Sequence, residues 1–244
     1  MTTTPGASTA RWFSIFGGQN SDNTGTLLTG LQTYVSYGTI ASLADNFALG
    51  YYNGTGSDHT SVLKLAIGTN NSAYHIDTAG GNAWAGVVVN VSNWVDNVAH
   101  IGGQVFVGGA NDMETIFDTY TPTKSWVDAF SAAGPSYYLN YGDPTNCSPN
   151  THTNASCGTT GWNQDDVWYV SWGATIAFAT PQIYYQNQAN QWGQINLWKS
   201  MGFEGPLDEH DLNGSTFDSL PAWNALWGTT LGDLPFSLQI HLLT

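Results

Sequence analysis

Short apolar runs of strand character alternate along this chain with stretches long enough to form helices. Apolar residues dominate 61–68 and 104–110, whereas between 82 and 98 they recur at steps of three and four, the period of an amphipathic helix. Repeated βα units of this kind build a parallel sheet. The pattern therefore predicts an α/β fold.

The number of strand-like runs limits which α/β architectures the chain can adopt. We predict strands at 11–16, 47–52, 61–68, 104–110, 136–141, 167–172, 181–185, 205–210 and 236–242, with 47–52 equally compatible with a helix end. We predict helices within 24–46 and at 82–98, 123–133, 188–201 and 220–231. About eight strands with helices or loops between most of them favour a (β/α)8 TIM-type barrel, regular or irregular. Residues 11–244 would form this single domain after a flexible tail at 1–10.

An open doubly wound sheet is the alternative architecture. Such sheets typically carry a Gly-x-Gly-x-x-Gly turn after the first strand. Gly17-Gly18-Gln19 does not supply that turn. The barrel is therefore favoured.

Acidic residues dominate the charge of the chain. Lys and Arg total 4 against 18 Asp and Glu, which gives a formal net charge of −14. A phosphate backbone or an anionic membrane surface would repel such a protein, so we exclude nucleic acid and membrane as partners. We expect a secreted monomer whose solubility comes from uncharged polar side chains and the acidic excess.

The two cysteines, Cys147 and Cys157, enclose a polar loop. A disulfide between them would pin that loop and contribute about 2 to 3 kcal/mol in the chain-entropy model. Two free thiols in a cytosolic protein are the alternative. The composition favours the disulfide and an extracellular setting.

Two acids follow the apolar run 104–110, in the tetrapeptide Asn111-Asp112-Met113-Glu114. Side chains of a strand alternate between faces, so Asp112 and Glu114 should point the same way, with Cα atoms about 6.5 to 7 Å apart. In a partly desolvated cleft such a pair splits its proton affinities, as acid catalysis of glycosidic bond cleavage requires. A surface turn whose Asp caps the next helix is the other interpretation.

Other polar residues at predicted strand ends should surround this pair. In barrels the active site gathers at the carboxyl ends of the strands. Aromatic rings stack on sugar faces, and amides and phenols hydrogen-bond to sugar hydroxyls. The predicted saccharide-binding residues are Asn140, Tyr141, Trp172, Gln182, Tyr184, Asp208 and Glu209, with Asp143 just beyond the first two and Ser171 beside Trp172. We predict no metal ligands and no cofactor, because the histidines show no ligand spacing.

The Asp-x-Glu at 112–114 resembles the strand-four signature of family 18 chitinases and the Asp-x-Glu of family 25 lysozymes, both (β/α)8 glycoside hydrolases. The longer pattern at 109–114, 138–142, 166–174 and 181–184 resembles a group of secreted, glycoside-hydrolase-like barrel proteins of soil bacteria with no assigned activity. The chitinases carry Asp-x-x-Asp-x-Asp-x-Glu, whereas Val107 and Ala110 occupy the first two Asp positions here. The resemblance therefore implies the barrel more strongly than any substrate.

These observations predict a secreted glycoside hydrolase acting on a polysaccharide or cell-wall glycan. Glu114 would be the general acid, and Asp112 would stay ionised to stabilise the oxocarbenium-like centre or orient a nucleophile; the roles could be exchanged. Asp208 or Glu209 is the reserve second carboxylate. A non-catalytic carbohydrate-binding barrel and an extracellular structural or surface protein are the alternatives.

Overall fold

The computed structural model describes residues 9–28, 33–56, 58, 60–72, 76–209, 216–230 and 238–240, without the side chains of residues 9, 11–15, 208, 209 and 238–240. Its strands are β1 (Thr9–Ile15), β2 (Gly25–Leu28), β3 (Thr33–Ser36), β4 (Val62–Asn70), β5 (Val105–Asp112), β6 (Tyr138–Asn140), β7 (Ala177–Ala179), β8 (Leu207–Glu209) and β9 (Leu238–Ile240). Its helices are α1 (Tyr37–Gly54), α2 (Thr78–Asn97), α3 (Tyr120–Ala132), α4 (Gln164–Trp168), α5 (Gln186–Trp198) and α6 (Ser219–Thr230). A π-helical turn, Tyr169–Gly173, follows α4. Strand β1 begins inside the predicted tail at 1–10, of which residues 1–8 lie outside the described residues.

Five strands form one parallel sheet in the order β1-β4-β5-β6-β7, and β2 and β3 form a separate antiparallel pair. Parallel bridges Ala179↔Phe203 and Gln182↔Leu207 lead from β7 to β8, which pairs in parallel with β9. The order of the parallel strands therefore follows the chain, whereas a doubly wound sheet reverses its order at a switch point. Among the described residues these pairings do not close an eight-stranded barrel, so the structure shows an α/β fold with a parallel sheet.

The two faces of this sheet carry different packing. On one face, residues such as Leu65 and Val107 pack with Trp84 of α2 and Trp126 of α3. The other, which we call the inner face, carries a cluster of Ala66, Ala110, Leu139, Tyr141 and Leu207 with Tyr137 and Phe178 packed against it. No described helical residue belongs to the inner cluster. Among the described residues, the inner cluster is therefore built from the strands and the residues next to them.

Helix α2 shows how the sequence builds the outer layer. Asp77 caps its start, because its carboxylate accepts the backbone N–H of Gly80 at 2.8 Å. Trp84, Val88 and Val91 repeat at the predicted spacing and are buried. Removing each such side chain from water contributes about 1.5 to 3 kcal/mol.

Two of the predicted strands are wrong, and 47–52 takes its helical alternative. Residues 47–52 belong to α1, residues 167–172 span the end of α4 and the π-helical turn, and 181–185 lead into α5 while β7 lies earlier. Local capping explains the structure of residues 167–172. Asn163 and Asp166 form a capping box, in which each side chain accepts the other residue's backbone N–H at 3.0 Å. That start signal outweighs the strand propensity of the aromatic residues that follow.

The disulfide between Cys147 and Cys157 is formed, as predicted. The residues that directly follow the loop closed by this disulfide are held against the segment after Glu114. Thr160 donates a hydrogen bond to the carbonyl oxygen of Thr115 at 2.5 Å. Just past the loop, the indole of Trp162 donates to the carbonyl oxygen of Asp118 at 2.7 Å. Among the described helices, none combines the length and the apolar character that crossing a bilayer requires.

Candidate functional site

Asp112 ends strand β5, and Glu114 follows two residues later. Alternation along β5 places Asp112 on the inner face, the side of Ala110. Gln182, in the segment after β7, donates from Nε2 to Oδ1 of Asp112 at 3.0 Å. Both acids are half-buried. The predicted pair therefore lies at the carboxyl edge of a parallel sheet, where α/β folds gather their binding sites.

Two buried asparagines hold the backbone around this pair. Asn71 follows β4, and its Oδ1 accepts the N–H of Glu114 at 2.9 Å while its Nδ2 donates to the Glu114 carbonyl oxygen at 3.0 Å. Oδ1 of Asn140 accepts the N–H groups of Met113 at 3.3 Å and Gly142 at 3.0 Å. Because both asparagines are fully buried, they fix the path of the backbone that carries the acids.

Gly142 allows a third carboxyl to join the pair. A Cβ at this position would lie 2.1 Å from the carbonyl oxygen of Met113, so a glycine is needed for the two segments to touch. Asp143 comes directly after this contact, and Asp112 and Glu114 flank Met113 on the other segment. We call Asp112, Glu114 and Asp143 the acid cluster.

Burial raises the pKa of all three acids, and neighbouring like charges raise it further for Asp112 and Glu114. Burial, followed by the charge on Asp143, raises the pKa of Glu114 to about 7. Burial, followed by the charges of Glu114 and Asp143, raises the pKa of Asp112 well above its usual range. Burial also raises the pKa of Asp143, although hydrogen bonds from Thr145 and Gln188 offset part of this effect. The raised pKa of Asp112 favours its protonated form, which disfavours its predicted role as the ionised partner.

The basic side chains that the structure describes, all of them lysines, lie away from the acid cluster. Arg11 and Lys64 are register partners near the amino ends of β1 and β4, Lys124 pairs with Asp128, and Lys199 pairs with Asp165. Asn70 is the register partner of Asp112. Lys64 precedes Asn70 by six residues on the same strand, so Lys64 and Asn70 are about 20 Å apart along β4. None of the ion pairs between described residues includes an acid of the cluster. No cation in the described ion pairs therefore offsets the raised pKa of Asp112 and Glu114.

The structure brings some of the other predicted site residues to the cluster. Gln182 contacts Asp112 directly. Tyr141 lies on the inner face, where its hydroxyl donates to the carbonyl oxygen of Thr69 at 2.8 Å, and the Asp112 charge contributes to the raised pKa of its phenol. Tyr184 is half-buried and is a further electrostatic neighbour of Tyr141. The amide of Gln182 and the phenol of Tyr141 therefore lie near Asp112, and Tyr184 lies near Tyr141.

Others do not take their predicted places. Asn140 is fully buried, and its Nδ2 donates to Ser171 Oγ at 2.7 Å. Its amide is therefore used within the protein and is not presented to a ligand. Trp172 packs against Phe178 and lies over Gly202, on the turn that was predicted as a strand. The backbone of Asp208 and Glu209 belongs to β8, but their side chains lie outside the described residues.

Sequence reasoning missed Asn71 and gave no role to Asp143 or Gln188. Asn71 lies in Asn70-Asn71-Ser72, a polar stretch directly after a strand, so its position at a strand end was a usable signal. Gln188 lies inside α5, where an amide gives no sign that it contacts an acid 45 residues away. That contact depends on the tertiary fold.

Two clefts lined by described residues lie elsewhere. One of about 620 Å³ opens between the starts of α2 and α3, beside Asp77 and Ser125. The other, of about 210 Å³, lies beside Lys64 and Glu204 on the inner side of the sheet. Neither is lined by the acid cluster. Within the described part of the chain, no three His, Cys, Asp or Glu side chains are arranged to hold a metal ion.

The chain was compared with protein-family models, with curated proteins and with solved structures. None of the three comparisons found a match. The functional proposal below therefore rests on the geometry and charge of the acid cluster.

The contact at Gly142 predicts a large loss of stability in Gly142→Ala. The new Cβ would meet backbone atoms of Met113 at 2.1 to 2.6 Å, which can move only with the acid-bearing segment. We expect the free energy of unfolding to fall by about 2 kcal/mol, measured by urea denaturation. Gly86→Ala is the matched control, because Gly86 lies in α2 with no atom within 4 Å of its added Cβ. Equal stability of the two variants would contradict the contact.

Proposed function

We propose that this chain is a secreted glycoside hydrolase that cleaves a polysaccharide or cell-wall glycan, with Glu114 as its general acid. The acid cluster carries the proposal, because its carboxyls share one edge of a parallel sheet with no basic partner among the described ion pairs. A pKa of about 7 keeps a proton on Glu114 in mildly acidic solution, ready for the leaving oxygen. Paired carboxyls are the catalytic requirement of most glycoside hydrolases.

We further propose that the sheet closes into an irregular (β/α)8 barrel. The sequential strand order, the parallel pairing of β8 with β9 and the inner cluster without helical residues favour closure. When a sheet closes into a barrel, its own side chains fill the interior in layers. Asp112 would then lie at the mouth of the barrel. The resemblance to secreted glycoside-hydrolase-like barrels stays a prediction, and β5 is the third parallel strand described, not the fourth.

A saccharide fits the side chains around the acids. Gln182 offers an amide, Tyr141 and Tyr184 offer phenol rings, and sugars combine hydroxyls with flat apolar faces. The disulfide fits an oxidising compartment and so supports secretion. A net charge of −14 opposes nucleic acid and anionic membranes as partners. We expect the protein to act as a monomer.

Release of reducing ends from a panel of insoluble and soluble glycans tests the proposal between about pH 4 and 7. We expect hydrolysis of at least one glycan, with a fall in rate as Glu114 loses its proton. Glycan binding without hydrolysis by the unmodified protein would instead indicate a carbohydrate-binding barrel. Concentration-dependent self-association without glycan binding would indicate a structural or surface protein.

A further inference from the structure

The acid cluster contains one member that the proposed mechanism does not use. Oδ2 of Asp143 accepts hydrogen bonds from Thr145 Oγ1 at 2.7 Å and Gln188 Nε2 at 2.8 Å. Gln188 is itself fixed, because its Oε1 accepts the N–H groups of Tyr184 at 2.6 Å and Tyr185 at 3.0 Å. Oδ1 of Asp143 is buried without a hydrogen-bond partner among the described residues. The carboxyl is therefore held firmly through one oxygen only.

We propose that Asp143 is a positioning residue of this site, whose anchored carboxylate supplies the negative charge that keeps a proton on Glu114. The inference rests on the proposed role of Glu114 as general acid. The two residues are brought together by the close contact of Gly142 with Met113. In a partly desolvated site a like charge disfavours ionisation of its neighbour.

The groups around Asp143 determine which acid ionises first. Its charge acts on Asp112 and Glu114 at the end of β5. Tyr141 after β6 is in turn an electrostatic neighbour of Asp112 and of Tyr184 before α5. Burial raises the pKa of Tyr141 well above its usual range, so this phenol stays neutral. Two hydrogen bonds to Oδ2 favour the charged form of Asp143. The inference therefore requires that Asp143 loses its proton before Glu114.

Titration of the Glu114 carboxyl by 13C NMR, without substrate, tests this coupling. In Asp143→Asn we expect the pKa of Glu114 to fall by at least about half a unit, because an amide removes the repelling charge and keeps the shape. Asp143→Glu restores the charge and should return the pKa of Glu114 toward that of the unmodified protein. Asp96→Asn is the matched control, because it removes one charge from the C-terminal end of α2, before β5 begins. Circular dichroism verifies that each variant is folded.

An unchanged pKa of Glu114 in folded Asp143→Asn would overturn the inference. If that variant does not fold, the order of titration in the unmodified protein decides, and ionisation of Glu114 before Asp143 would overturn it. The outcome is independent of hydrolysis. Coupling in a protein that cleaves no glycan would overturn the proposed function alone, and hydrolysis without coupling would overturn only the role of Asp143.

Discussion

Glu114→Gln should lose at least about a hundredfold in kcat on any glycan that the unmodified protein cleaves, the range typical of a general acid. The amide keeps the shape of the side chain but cannot donate its proton to a leaving oxygen. Asn71 contacts only the backbone of Glu114 in the structure, so the fold of the segment should survive. Initial rates of reducing-end release, together with isothermal titration of glycan binding, separate lost catalysis from lost binding.

The expected pattern is retained binding with lost turnover. Asp96→Asn, which removes one charge from α2, controls for net charge and should leave both quantities unchanged. Full activity of Glu114→Gln would remove the general acid from the proposed mechanism. Loss of binding and turnover together, with an unchanged melting temperature, would assign Glu114 to substrate binding.

Stability should fall as the pH rises, which is the second large effect. The folded protein holds protons on Asp112 and Glu114 that the unfolded chain releases, because burial and like charges raise their pKa. For Glu114 the folded state therefore binds more protons than the unfolded state from about pH 4.5, its ordinary value, to about pH 7, and the raised pKa of Asp112 adds to this difference. Linkage then requires the free energy of unfolding to decrease through this window.

We expect the two acids to lower the free energy of unfolding by about 2 kcal/mol between pH 5 and pH 8, after discounting for solvent screening. This loss corresponds to a fall in melting temperature of about 4 to 8 °C. The double variant Asp112→Asn/Glu114→Gln, compared with the unmodified protein by differential scanning calorimetry, should lose less stability with rising pH in this range. The comparison isolates the cluster from other acids, such as Asp45, whose pKa burial raises to about 6. Identical slopes for the two proteins would mean that the cluster holds no extra protons.

Periodicity and strand-end position predicted a good part of this architecture. Helix α2 and strand β5 lie close to their predicted limits, because their apolar spacing reports directly which face is buried. The positions of Asp112 and Glu114 at a sheet edge followed from β5 alone. The Cys147–Cys157 disulfide followed from a short polar loop between two cysteines.

The sequence predicted the structure less well where tertiary contacts determine it. The aromatic run at 167–172 suggested a strand, yet the Asn163–Asp166 capping box starts a helix there. Nothing local marks Gly142 as the point where two segments touch, because the need for glycine arises from Met113, 29 residues earlier. The role proposed for Asp143 depends on that contact, so it could not be inferred from the sequence alone.

Titration of the carboxyl carbons in 13C-labelled protein, with Asp112→Asn and Glu114→Gln used for assignment, measures the proton-holding of the cluster directly. The structure predicts that Glu114 titrates at about pH 7 and Asp112 well above the usual range of an aspartate. Ordinary values for both groups, at about pH 4, would contradict the account, because two fully ionised carboxyls at neutral pH leave no proton for a glycosidic oxygen.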